Sequence, residues 1–196
     1  MLTANAGPGY LSWRPIVYKS ILPTLLCLCL LAPAVVAESP AEGQAAPAFK
    51  LQDQEGDWHQ LDDYHGQWVV LYFYPRDFTP GCTTEACSFR DDIYKFRKLN
   101  IALLGVSMDD VESHRKFAEE YGLPFPLLAD DDGEISRLYG TYLGIGGGVG
   151  IAQRQTFLID PDGLLAKHYQ KVDPDVHSAQ VMTDLEDLMA TDPPPG

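Results

Sequence analysis

Apolar and polar positions change period several times along the chain, and each change predicts an element. Phe49 and Leu51, then Trp58 and Leu61, alternate with polar neighbours, the pattern of a short antiparallel strand pair. Residues 68–74 (Trp-Val-Val-Leu-Tyr-Phe-Tyr) form a continuous apolar, β-rich run, as in central strands buried on both faces, and Pro75 stops it. A helix is expected to open near Thr79. Threonine can cap a helix, and Pro80 suits the first helical position, where its missing N–H costs nothing. Ala86, Phe89, Ile93 and Phe96 then recur at helical spacing and would face a core. Residues 101–107 read as a second buried strand, 111–121 as a helix and 125–128 as a short strand. An acidic turn at 130–134 leads into a short helix over 135–139. Residues 156–159 read as a third buried strand, and the Asp-Pro-Asp-Gly turn after it favours a hairpin with 164–169. A helix over 175–190 closes the pattern. Strands alternating with helices, then a hairpin and a final helix, predict an α/β fold with a central mixed β-sheet flanked by helices.

The first 37 residues do not belong to that pattern. They carry no Asp or Glu, and Arg14 and Lys19 precede an apolar run over 21–37 that ends Ala-Pro-Ala-Val-Val-Ala. Small residues at Val35 and Ala37 fit the positions before a signal-peptidase cut, which predicts a signal peptide cleaved after Ala37 and an exported, periplasmic protein without stable membrane association. An uncleaved anchor is the alternative. The run sits at the short end of the ~17–25 residues that span a bilayer, and Pro23 and Pro33 interrupt it. Leu26 before Cys27 makes a poor lipoprotein signal. Residues 38–47 read as a flexible lead-in, 48–190 as the single folded domain and 191–196 as a disordered tail. The formal net charge of −14 argues against nucleic acid as a partner, since phosphate affinity rests on Lys and Arg. Cleavage removes two of the four cysteines, Cys27 and Cys29, and leaves Cys82 and Cys87.

Those two cysteines carry the chemistry. Cys82 follows Thr79, Pro80 and Gly81, which places its sulfur in the first turn of the predicted helix. Unpaired N–H groups and the positive end of the helix dipole gather there, and both favour a thiolate, the nucleophilic form. Cys87 lies five residues on. In an intact α-helix that spacing gives a rise of ~7.5 Å and side chains ~140° apart, so the Cα atoms stand about 8–9 Å from one another. Disulfides rarely tolerate more than ~7 Å. A bridge therefore requires the first turns to unwind, which suits a cycling bond better than a structural staple.

Pro75-x-x-x-Thr79-x-x-Cys82 is similar to the active-site pattern of the peroxiredoxins, and Cys87 resembles the second cysteine of their bacterioferritin comigratory protein, or PrxQ, subgroup. The likeness spans roughly residues 44–190. It implies a thioredoxin-like fold and thiol-dependent reduction of hydrogen peroxide and organic hydroperoxides, with no cofactor and no metal. In that chemistry Cys82 is the peroxidatic thiolate, which becomes a sulfenic acid, and Cys87 the resolving thiol that condenses with it. An external dithiol, a thioredoxin-like reductant, would recycle the disulfide. Thr79 Oγ and the N–H groups of Gly81 and Cys82 would donate to the peroxide, and Pro75 would shield the pocket. The resemblance also implies an arginine against the sulfur, for which Arg154 is the candidate; Arg76 and Arg90 are nearer in sequence and compete. Glu85 matches a glutamate of the subgroup that would orient local hydrogen bonds; a solvated helix face is the equal alternative. A monomer or weak dimer is expected.

Two other readings have weaker support. A copper-delivery protein of the Sco type would space its cysteines CxxxC with a partner histidine, and a thiol-disulfide carrier would present CxxC; the chain has CxxxxC. The glycine-rich stretch 144–150 lacks the GxGxxG register and a following Lys, and reads as a mobile loop near the site. His59, His65, His114, His168 and His177 show no ligand spacing, and 130–132 fails the calcium-loop pattern, so all read as structural or solvated.

Overall fold

A computed structural model describes Thr3, Gly9 and residues 39–147 and 149–191. Apart from Thr3 and Gly9, the expected signal segment, with Cys27 and Cys29, lies outside the described residues, as do residues 192–196. The chain divides into the units Met1–Val35 and Val36–Gly196, and the elements below all belong to the second. Among the described residues no helix is long and apolar enough to cross a membrane.

The strands are β1 (Lys50–Gln52), β2 (Trp58–Gln60), β3 (Trp68–Phe73), β4 (Ile101–Ser107), β5 (Leu127–Ala129), β6 (Tyr142–Gly146), β7 (Val149–Ala152), β8 (Gln155–Ile159) and β9 (Leu165–Tyr169). The helices are α1 (Pro80–Lys98), α2 (Val111–Tyr121), α3 (Glu134–Leu138) and α4 (His177–Thr191), with a 3₁₀ turn at Leu61–Tyr64. Seven strands make one mixed sheet in the order β2-β1-β5-β4-β3-β8-β9. β3, β4 and β5 run parallel, and β8 returns antiparallel beside β3, with Phe73 opposite Gln155 and Val69 opposite Ile159.

The apolar run over 68–74 explains this centre. All six residues of β3 are buried, and alternate side chains serve two cores. Val70, Tyr72 and Tyr74 pack with Phe89 and Phe96 of α1, Phe117 of α2 and Val181 and Leu185 of α4. Val69, Leu71 and Phe73 pack with Phe157, Ile135 and Tyr139 on the other face. Each such side chain contributes roughly 1.5–3 kcal/mol through burial, so β3 fixes the frame on which its C-terminal loop is mounted. Leu99 caps the end of α1, and Asn100 after it, with a left-handed φ of 55°, lets the chain turn straight into β4.

Two expectations are corrected. The lead-in is not free: Gly43 N and Ala46 N donate to Leu165 O and Gly163 O, Leu165 N donates to Gln44 O, and Ala46 is buried. The small side chains of Gly43, Ala45 and Ala46 let the backbone approach the β8–β9 turn closely enough to bond it. The glycine-rich stretch is not a loop either. It forms the two-stranded hairpin β6–β7, with an irregular register at Gly144 to Gly146 and with Tyr142 lying over Gly150. β5, α3 and α4 keep their type with ends shifted by one or two residues, and α4 runs on through Thr191.

Gly105 of β4 lies opposite Tyr72, and a Cβ there would stand 2.7 Å from the Tyr72 hydroxyl and 2.9 Å from Leu127 Cδ2. Both neighbours are fully buried and cannot swing away. Gly105→Ala should therefore destabilise by about 1–3 kcal/mol and lower the melting temperature by about 2–4 °C per kcal/mol. An unchanged melting curve would show that the ring has room to move.

Candidate active site

The site is assembled where the C-terminal end of β3 meets the start of β8. Pro75, half-buried, follows Tyr74, and the loop runs through Arg76, Asp77 and Phe78 into α1. Thr79 is the N-cap residue with an extended backbone, and Pro80 takes the first helical position. One expectation fails in detail, because the Thr79 hydroxyl does not cap the helix. It donates back to Arg76 O at 2.9 Å, while Thr79 O accepts from Thr83 N. The N–H groups of Gly81 and Cys82, in the first turn, have no intrahelical acceptor and stay available to a ligand.

Cys82 is 1% exposed. Arg154, in the two-residue link between β7 and β8, reaches it across 72 sequence positions: Nη2 donates to Cys82 Sγ at 3.1 Å. The other guanidinium nitrogen, Nη1, donates to Glu85 Oε2, one turn further along α1. One cation thus bridges a sulfur and a carboxylate. Burial works against the Arg154 charge, but Glu85 and Cys82 more than offset it, and its pKa is raised. Close packing keeps the bridge in place, since even a Cβ at Gly81 would lie 3.3 Å from Nη2. Neither rival arginine reaches the sulfur: Arg76 is 3.7 Å from Asp109, and Arg90 bonds Tyr121 O and Asp91.

Glu85 is completely buried, and burial pushes its carboxyl up to about 7, with Arg154 pulling it back only in part. Its second oxygen and the hydroxyl of Tyr72 are buried without a partner among the described residues. His177, at the start of α4, bonds Thr156 Oγ1 at 2.8 Å and stands edge-on to Phe89 and Tyr169. Burial, with Arg154 nearby, lowers its pKa to about 4, so it adds no second cation.

Cys87 lies on another flank. Both cysteines are free thiols within the one helix α1, but Cys87 is half-buried and neighbours Arg90 and Tyr121 rather than Arg154. Helical rotation has separated the two sulfurs, as their spacing predicted. Clefts lined by Phe49, Leu61 and Ile135, and by Glu55, Arg115 and Leu123, include neither cysteine.

The family model described as the AhpC/TSA family matches residues 42–168. The chain belongs to this family. It is 42% identical over 156 residues to the Peroxiredoxin Bcp of Bacillus subtilis, a match covering 74% of this chain and 95% of that protein. The crystal structure of Peroxidoxin BcpB from Mycobacterium tuberculosis superposes with a TM-score of 0.71 at 34% identity, over 75% of this chain and 97% of the other. A Xanthomonas campestris bacterioferritin comigratory protein structure, reported for its alkyl peroxide reduction activity, matches with a TM-score of 0.67 at 34% identity, over 71% of this chain and 91% of the other. This AhpC/TSA chain is a thiol-dependent peroxidase on a thioredoxin-like fold. These relatives give no support to the copper-delivery or disulfide-carrier alternative.

Glu85 makes a pH-dependent contribution. A carboxyl raised in the folded state favours folding below its unfolded value of 4.5, and that contribution is lost as pH rises through about 7. Relative to wild type, Glu85→Gln should therefore gain stability between about pH 5 and pH 8, by up to about 3 kcal/mol, read from urea midpoints at each pH. A constant offset across that range would show that Glu85 does not titrate there.

Proposed function

We propose that Cys82 is the peroxidatic residue of this peroxidase and Cys87 the resolving one. The observation that carries the assignment is the 3.1 Å contact from Arg154 Nη2 to Cys82 Sγ at the first turn of α1. The thiolate is the nucleophile, and a guanidinium aimed at it stays charged at any working pH. Cys82 Sγ attacks the terminal oxygen of a hydroperoxide. The O–O bond breaks, water or an alcohol leaves, and Cys82 becomes a sulfenic acid. Arg154, the N–H groups of Gly81 and Cys82, and the Thr79 hydroxyl, once turned from Arg76 O, are the donors for charge spread over sulfur and two oxygens. Pro75 lines the loop beside them. Cys87 then condenses with the sulfenic acid and releases water.

The substrate range includes hydrogen peroxide and organic hydroperoxides, the latter supported by the alkyl peroxide reduction activity named for the Xanthomonas relative. A dithiol of thioredoxin type reduces the disulfide, and the enzyme acts as a monomer or weak dimer. The acid-free, apolar segment over 21–37 supports export to the periplasm with cleavage after Ala37. Recovered from its native compartment, the chain should begin at Glu38; an intact N-terminus would refute cleavage.

Thiol kinetics test the assignment. Reduced wild-type protein mixed with hydrogen peroxide should lose two thiols per peroxide. Cys82→Ser should consume none, and Cys87→Ser should turn over once and stop at a sulfenic acid detectable by mass. Wild-type rates in Cys82→Ser would sink the assignment of that residue.

A further inference from the structure

Asp77 sits in the loop between β3 and α1, two residues ahead of Thr79, and is 3% exposed. No lysine or arginine bonds it among the described residues. Its Oδ1 accepts from the Tyr74 hydroxyl at 2.8 Å, and its Oδ2 accepts from Ser113 Oγ at 2.7 Å and faces His114 Nδ1 at 2.9 Å. Its own N–H donates to Asp109 Oδ2 at 2.9 Å, and Asp109 is held by the Ser107 hydroxyl at 2.7 Å. One loop residue is thus tied to the end of β3, to the segment after β4 and to the first turn of α2. His114 is fully buried, and the resemblance that names the cysteines assigns nothing to this cluster.

The next residue, Phe78, adopts a left-handed φ of 60°. Side chains other than glycine rarely hold that conformation, and it persists only where the surroundings over-determine it. Here they do. Asp77 is anchored on one side, and the Phe78 ring packs edge-on against Phe117 and tilted against Tyr121, both of α2. The ring is still 42% exposed, so its hold on α2 is partial. α2 is also the helix beside which Cys87 lies.

We propose that Asp77, gripped by Ser113 and His114, is a positioning residue that keeps the start of α1 wound and Cys82 on the Arg154 flank. The grip sets how the sulfenic acid divides between two fates. This inference rests on the roles given above to Cys82 and Cys87. In one branch the helix start melts and Cys87 S–H meets Cys82 S–OH. The S–S bond forms and the S–O bond breaks, the Cys87 sulfur is oxidised and the Cys82 sulfur reduced, and the hydroxyl leaves with the thiol proton as water. In the other branch the wound helix holds the sulfenate in place, and it attacks a second hydroperoxide. The O–O bond breaks, an alcohol or water leaves, and Cys82 becomes a sulfinic acid. A weaker grip favours the first branch and disfavours both the second and the initial attack, which needs Arg154 at the sulfur.

The test uses the full chain with Ser113→Ala, Asp77→Asn and Asp77→Ala. Reduced protein is mixed with graded hydrogen peroxide and quenched, and disulfide and sulfinic acid are counted by mass. Asp77→Ala should form the disulfide about tenfold faster than wild type, the factor carried by one charge-assisted hydrogen bond, and should need about tenfold more peroxide for half sulfinic acid. Its first oxidation of Cys82 should slow. Asp77→Asn keeps one acceptor oxygen and should partly restore both. Ser113→Ala removes a single bond from a half-buried hydroxyl and should shift the same way by a few-fold, which keeps the test valid should Asp77→Ala not fold. A merely structural role lowers the melting temperature and slows both steps together, and that result overturns the proposal. So does a folded Ser113→Ala or Asp77→Asn with wild-type partition. If wild-type thiols ignore peroxide, the peroxidase roles fall as well; normal wild-type progress with unmoved variants removes the grip alone.

Discussion

The structure depends on one guanidinium shared between a sulfur and a carboxylate. Arg154 is offered to α1 because β8 runs antiparallel beside β3, so the chain just before Gln155 arrives at the same end of the sheet as the loop after Phe73. Had β8 run parallel to β3, its first residues would lie at the far end, and no side chain could span the difference. Glu85 then gives the second nitrogen a fixed acceptor, which holds the fork in one plane. The carboxylate is fully buried, so this rigidity is obtained against a desolvation penalty that the single cation offsets only in part.

The same helix that presents Cys82 to Arg154 turns Cys87 away from it. A well-wound α1 is therefore right for the first chemical step and wrong for the second. Its start is only lightly fastened: the Thr79 side chain does not cap, and the left-handed Phe78 needs help from α2. The remainder of α1 is secured by Phe89 and Phe96 in the core beneath the sheet. Stability is graded along one helix, low where rearrangement is needed and high where it would unfold the domain.

Much of this was legible from residue order. The apolar run over 68–74, the Thr-Pro start of α1 and the five-residue cysteine spacing are local signals, and local signals survive in a sequence. Arg154 was reachable only through likeness to a family, because 72 positions separate it from the sulfur and nothing local points across that gap. The Asp77 cluster was missed for the same reason, although one sign was present: His114, Phe117, Ala118 and Tyr121 recur at helical spacing, which puts a histidine on the inward face of α2. The β6–β7 hairpin was misread because glycines at alternate positions erased the apolar alternation that marks a strand. The lead-in was misread because backbone-to-backbone bonding by small residues leaves no compositional trace.

That tethered lead-in has a practical meaning. Gly43 to Ala46 join the sheet at the β8–β9 turn, beside the segment that enters β3, whereas the thiols lie where β3 ends. Upstream of Gly43 the chain turns back along β9, where Glu42 accepts from His168 N, and Ser39 packs against Gly140, so cargo coupled at those residues, whether a bead, a fluorophore or a surface, would pull on a segment bonded into the fold and not on a free tail.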